Sequence, residues 1–201
     1  PSSGSVDAFK AMTIEGWFKF SGLGGSGIIG KGEVDPSFAG VAYTLWNSGG
    51  NLMFYISDDD TNGNLNRRAT GKLVTNQWMY IAAVWNGSTH TNQSIKIYIN
   101  GVQEDDSQIG ETQGFVAMRD SNLVLTVGRT EIGTTPEYFN GTIDEVAIWN
   151  ISLSSDKISE HAGAKIIDYS QYGNNGTRNF NSTSDFGRNF TDGKFSKALV
   201  F

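Results

Sequence analysis

The stretch Thr13-Ile14-Glu15-Gly16-Trp17-Phe18-Lys19-Phe20 decides the fold class. Polar and apolar residues alternate along it, the pattern of a strand with one face buried. The same reading extends outward in both directions. Residues 21–27 form a Gly/Ser turn, and Ile28 to Lys31 follow as a short strand. Val41 to Trp46 reads as a strand, Gly49-Gly50 as a hairpin turn and Leu52 to Ile56 as the return. Asp58 to Arg68 reads as a polar loop. Trp78 to Trp85 is a strongly apolar strand. Ile95 to Ile99 alternates cleanly into Asn100-Gly101, a turn dipeptide. Leu123 to Val127 and Gly141 to Trp149 complete the series. One helix is expected, near residues 155–162. Ser154 can cap it, Leu153 and Ile158 have the spacing of a hydrophobic staple, and Gly163 fits its stop.

Strands at this spacing predict an all-β chain, a two-sheet antiparallel β-sandwich with that one short helix. The composition agrees. The chain has 201 residues, 38% of them hydrophobic and 12% aromatic, enough for one sizeable core. Gly reaches 25 residues and charged residues only 18%, against roughly 25% in ordinary soluble domains. The formal charge of -6 offers no basic field for a phosphate backbone, so no nucleic-acid partner is expected. Cys is absent, which excludes disulfides, thiolate zinc sites and a Cys nucleophile. No apolar run approaches the roughly 18 residues that a membrane span needs.

One count bears on compartment. With 17 Asn, chance would give roughly three N-x-[ST] triplets. Seven occur, beginning at Asn86, Asn92, Asn140, Asn150, Asn175, Asn181 and Asn189. These are the glycosylation candidates, and they set the expectation of an extracellular, cell-surface protein.

The strands also spell a pattern. Ala8–Phe20 (AFKAMTIEGWFKF) is similar to the "sFTIEaWvK" strand of laminin G-like jelly-roll domains, of the concanavalin A-like lectin/glucanase superfamily. Trp78–Trp85 (WMYIAAVW) and Ile97–Gly101 (IYING) resemble the "W..va.v" and "lyvNG" pair of that family, and Leu125–Arg129 (LTVGR) its "l.iG". Phe139–Trp149 (FNGTIDEVAIW) with Leu153–Glu160 resembles "F.G.iDEvriyn..Ls..ei". The resemblance implies a concanavalin A-like jelly roll over residues 1–164.

Residues 165–201 depart from the family's order. Asp168–Thr177 and Gly193–Phe201 resemble "D.SG.gn.Gt" and "GkfG.ALvFdG", which in the family precede the "FTIEaW" strand. Three readings stand open: the end of the chain begins a further domain in an array, it closes the sandwich in cis, or it completes a neighbouring subunit. Under the last reading Lys194, Phe195, Ala198, Leu199, Val200 and Phe201 form the assembly strand. A head-to-tail donation of that kind builds filaments or lattices of copies of the chain.

Candidate chemistry divides three ways. A retaining glucanase needs two carboxylates about 5 Å apart. The nearest pattern, Glu33-Val34-Asp35-Pro36, lacks the second Glu, so no enzyme activity and no catalytic residue is expected. By the resemblance, one structural calcium ion would be held through Asp144, the Asp of "iDEv". A glycan site would use a loop with polar groups and an aromatic. Tyr55, Asp58, Asp59, Asp60, Asn64 and Arg67 are the candidate ligand-binding residues, and Asp58 to Asp60 with Asn62 and Asn64 could serve as a loop cation site. The five Trp all sit in strand patterns and are expected in the core. The expected function is a non-catalytic surface module for adhesion or architecture, whose partner is a glycan, a surface protein or a copy of itself. An accessory carbohydrate-binding domain of a glycoside hydrolase is a further reading.

Overall fold

The computed structural model describes residues 10–32, 40–58, 63–106, 114–119, 123–130 and 135–163, and the backbone of 165–166, 176–177, 190–192 and 197–199. In chain order the strands are β1 (Met12–Phe20), β2 (Ser26–Gly32), β3 (Val41–Ser48), β4 (Asn51–Ser57), β5 (Asn64–Ala69), β6 (Trp78–Trp85), β7 (Ile95–Ile99), β8 (Val102–Gln103), β9 (Leu125–Val127), β10 (Arg129–Thr130), β11 (Glu137–Tyr138) and β12 (Gly141–Trp149). Helix α1 (Ser155–His161) follows, then β13 (Lys165–Ile166), β14 (Gly176–Thr177), β15 (Phe190–Asp192) and β16 (Lys197–Leu199).

Two antiparallel five-stranded sheets form the sandwich. One runs β12-β1-β6-β7-β8 and the other β5-β4-β3-β2-β9. Their facing sides supply one core. Met12, Ile14, Phe18 and Phe20 of β1 and Met79, Ile81, Ala83 and Trp85 of β6 meet Tyr43, Leu45, Leu52, Phe54 and Ile56 of the second sheet. Burying each such side chain stabilises the fold by roughly 1.5–3 kcal/mol. The period of two is what makes this possible, because every second residue of a strand faces the same way.

The expected turns and helix form. Gly49 and Gly50 have φ of 60° and 84°, and Asn100 and Gly101 have 53° and 82°, the left-handed pair that a tight hairpin requires. The Ser154 side chain accepts the Lys157 N–H at the start of α1, and Leu153 packs beside the cluster holding Ile158. Gly163 ends the helix at φ 67° and donates to the Glu160 carbonyl.

Two expectations need correction. Residues 58–68 are not one polar loop, because Asn64–Ala69 is strand β5, paired along its length with β4. Leu65 and Ala69 face the core, but Arg67 occupies the inward position between them, and that hid the alternation. The Trp residues are not uniformly core either. Trp85 is buried at 3%, whereas Trp17, Trp46 and Trp78 are half-buried and Trp149 is 38% exposed.

The last segment pairs locally. Lys165 and Ile166 lie opposite Thr177 and Gly176, and Phe190, Thr191 and Asp192 lie opposite Leu199, Ala198 and Lys197. Among the described residues, β16 pairs with β15 and joins neither five-stranded sheet. Lys194, Phe195, Val200 and Phe201 lie outside the described residues. No helix among the described residues is long and apolar enough to cross a membrane.

Candidate functional site

Each sheet has an outer face, and the two differ. On the β12-β1-β6-β7-β8 sheet the outward residues Tyr80, Ala82, Val84 and Tyr98 are covered by Ile158 and Ala162 of the α1 region, with Trp17 and Leu153 at the margin. Beneath the end of the helix lies Glu15, only 5% exposed. Its carboxylate accepts from the Tyr80 hydroxyl, from Trp149 Nε1 at 2.8 Å and faces His161 Nδ1 at 3.0 Å. Burial and the Glu15 hydrogen bond together raise the Tyr80 phenol far above its ordinary range. This face is closed by protein groups that satisfy one another.

The outer face of the β5-β4-β3-β2-β9 sheet is built differently. Strand register places Gly30, Thr44, Tyr55 and Asn66 in one row across it. The next row runs Gly27, Trp46, Met53 and Arg68. Ser57 and Asn64 make a third. All these strand residues alternate with the core residues named above, so they face away from the core. Trp46, Met53, Asn64, Asn66 and Arg68 keep partial exposure.

One ribbon flanks this face. The β10–β11 ribbon packs over β2, and only glycine permits the approach. A Cβ on Gly27 would collide with the Thr130 amide and hydroxyl and lie 2.5 Å from the Glu137 carbonyl oxygen. The ribbon thus stands beside Trp46. Its far side carries Tyr138, 64% exposed, with the Arg129 guanidinium 5.6 Å from the ring centre. Residues 114–119 meet the end of β4, where Phe115 and Met118 join the core between the sheets. Arg119 N–H donates to the Ser57 carbonyl at 2.8 Å, and the Val116 and Ala117 N–H groups donate to the Asp58 carboxylate. Burial raises the Tyr55 phenol, Arg119 opposes the rise, and the net value is about 12.

Of the residues expected to bind a ligand, the described ones do not all share one surface. Tyr55 and Asn64 face outward, and Tyr55 is 8% exposed. Asp58 is 5% exposed, its carboxylate holding residues 116 and 117. Arg67 turns to the edge between the sheets, where Nε donates to Asp105 at 2.6 Å and Nη1 to the Asn92 carbonyl. Asp59 and Asp60 lie outside the described residues, as do Asn62 and Glu33 to Phe38. Trp46, Arg68 and Arg119 were not singled out from sequence. A Trp in strand register with Thr44, opposite in phase to Tyr43 and Leu45, was the available signal for Trp46.

Asp144 lies opposite Trp17 in register and is exposed, its Oδ1 accepting the Glu145 N–H. Glu145 has φ 49° and sits in a bulge against β1. Calcium takes six to eight oxygens. Among the described residues no three Asp, Glu, His or Cys side chains come together for a metal; the ion that the resemblance implied would be held by Asp144 together with backbone carbonyls. Of the sequons, Asn86, Asn140 and Asn150 are exposed. Asn92 is half-buried with Oδ1 accepting the Asn66 N–H. Asn175, Asn181 and Asn189 lie outside the described residues.

Solved structures share this architecture. Domain 4 of AbnA, a GH43 extracellular arabinanase from Geobacillus stearothermophilus, in complex with arabinotriose, matches with a TM-score of 0.53 and 19% identity, over 78% of this chain and 68% of that one. The IT-sialidase CBM40 of Ruminococcus gnavus bound to alpha2,3 sialyllactose matches with a TM-score of 0.58 and 14% identity, over 80% and 87%. A protein of Bacteroides ovatus ATCC 8483, provisionally named as carbohydrate-binding, matches with a TM-score of 0.53 and 17% identity over 78% of this chain, which spans only 42% of that protein. No curated protein matches the chain by sequence. Residues 1–159 match the Laminin_G_3 family model, and the chain belongs to the concanavalin A-like lectin/glucanases superfamily.

Proposed function

We propose that this chain is a non-catalytic, extracellular glycan-binding module that serves adhesion or surface architecture. The observation that carries this reading is the outer face of the β5-β4-β3-β2-β9 sheet. Trp46 offers a partly exposed flat apolar surface, with Met53 and Arg68 in its own row and Asn66 and then Asn64 in the rows beyond, all partly exposed. Sugars present CH faces flanked by hydroxyls, and an aromatic beside hydrogen-bonding side chains meets both needs. A rigid sheet holds the spacing, and the β10–β11 ribbon flanks it at β2. The arabinotriose-bound and sialyllactose-bound neighbours of the same fold support the reading. They also favour a second setting, as an accessory module of a glycoside hydrolase, since both belong to such enzymes. The excess of sequons supports an extracellular location.

The test is a glycan array followed by calorimetry on the wild type and on Trp46→Ala. A saturable hit whose affinity falls about tenfold or more in Trp46→Ala, with the fold intact, is expected. Wild-type chain that binds nothing on the array, or a Trp46→Ala variant with full affinity, would rule out this face.

A further inference from the structure

We infer that the sandwich is open along the side formed by β12 and β9, and that the β12 edge takes the strand Lys194–Phe201 of a second copy of the chain. Copies then join head to tail. The surface concerned is distinct from the Trp46 face.

The two sides where sheet edges meet are finished differently. Where β5 adjoins β7 the inward residues are sealed: Leu65, Ala69, Ile95 and Ile97 are all 0% exposed. Along β12 and β9 they are not. Ile143 and Ile148 lie opposite the core residues Phe18 and Ile14, and Val127 lies opposite the core residue Ile29, so all three occupy inward positions. Yet Ile143 and Ile148 are partly exposed, as are Val146 and Leu125, which also pack against the core, and Val127 is 52% exposed. The two edges are neighbours, since a Cβ on Gly128, next to Val127, would lie 3.8 Å from the Ile143 side chain. Among the described residues β12 pairs with β1 alone, and no strand lies beyond it. A nine-residue edge with half-covered apolar side chains beneath it is a template for one more strand.

Charge and pattern select the occupant. Asp144 and Glu145 stand exposed in the middle of β12. Antiparallel pairing of β12 with its own copy, centred on Glu145, would set like charges opposite each other. A strand bearing lysines is the complement. Lys194–Phe201 (KFSKALVF) carries two Lys and no acidic side chain, and every other position except Ser196 is apolar. Its described part, β16, pairs with β15 and joins neither five-stranded sheet. The chain thus holds an edge without its strand and a strand without its sheet, of opposite charge. Because β16 stays off its own sandwich, the strand that fills β12 comes from another copy. Backbone bonds supply the affinity of such an addition and side chains its register. Donor and acceptor are different surfaces, so the contact is heterologous and propagates into rings or filaments.

Light scattering over a range of concentrations tests this on the full chain and on two charge-reversed variants, with circular dichroism to confirm folding. The wild type should grow in mass with concentration. Asp144→Lys/Glu145→Lys and Lys194→Glu/Lys197→Glu should each weaken association about tenfold or more, since each sets like charges across the junction. An equal mixture of the two variants should recover assembly, because every junction between unlike chains again pairs opposite charges. Should the β12 variant not fold, a labelled peptide of residues 193–201 replaces the mixture. It should bind the wild type saturably and shrink its assemblies, and its Lys194→Glu/Lys197→Glu form should do neither. A wild type that stays monomeric at every concentration overturns the inference, as does association that neither reversal weakens or a peptide that does not bind. Variants that fail to recover on mixing also overturn it, and recovery in one chain carrying all four substitutions then shows closure in cis.

Discussion

Trp149 Nε1 donates to the Glu15 carboxylate across 2.8 Å, joining the first strand of the sandwich to the last. The same carboxylate meets the Tyr80 hydroxyl on β6 and His161 Nδ1 on α1. Four elements thus converge on one buried carboxyl group. Glu15→Ala should lower unfolding free energy by about 3 kcal/mol, since it strands buried donors as well as removing bonds. Glu15→Gln retains an acceptor oxygen and should cost less. Urea titration followed by Trp fluorescence reads both, and an Ala variant as stable as wild type would show that the network is not structural.

Helix α1 owes its place to packing more than to capping. Ile158 is 0% exposed against Tyr80, Ala82, Val84 and Tyr98, while the Ser154 cap bond is 3.3 Å long. Ile158→Ala should therefore cost about 3 kcal/mol and Ser154→Ala about 1 kcal/mol or less. Thermal melts of the two variants should keep that order, and a reversed order would mean that the cap holds the helix.

These contacts mark the boundary of what the sequence makes legible. Strand β1 is readable because Ile14, Phe18 and Phe20 alternate with Thr13, Glu15 and Lys19, and the hairpin turns because left-handed backbone favours Asn and Gly. Strand β5 is not, because Arg67 takes an inward place to reach Asp105, a partner 38 residues away. Glu15 and His161 stand 146 residues apart, and no local pattern pairs them. Trp46 is hidden for another reason. Alternation shows that two faces exist, and with Tyr43 and Leu45 on one and Trp46 on the other, both look apolar. Only the second sheet decides which face becomes core.

Tyrosine ionisation should couple to unfolding at alkaline pH. Burial raises Tyr55 to about 12 against an ordinary value of 10.0, with Arg119 opposing. Burial also raises Tyr43, Tyr80 and Tyr98. A phenol with a raised folded-state pKa holds its proton longer folded than unfolded, so its stability contribution is complete below pH 10 and is lost as pH climbs to about 12. Stability should fall across that window. Tyrosinate absorbance should include a cooperative step coincident with the loss of far-ultraviolet circular dichroism. Absorbance that finishes rising while the dichroism is unchanged would refute the coupling.

Gly27 offers a way to move the ribbon beside Trp46 without touching the outward side chains. A methyl there meets the Thr130 amide and the Glu137 carbonyl, both backbone, and neither can rotate away. The β10–β11 ribbon must lift. Overpacking of this kind costs roughly 1–3 kcal/mol, so Gly27→Ala should melt several degrees lower. Because the ribbon walls the Trp46 row, affinity for any glycan held there should fall as well. Gly24 supplies the control: it is exposed, and a Cβ at that position meets nothing within 4 Å. Gly24→Ala should leave both melting and binding at wild-type values. Loss of stability in Gly27→Ala with binding unchanged would separate the ribbon from the site and place the ligand nearer β4 and β5.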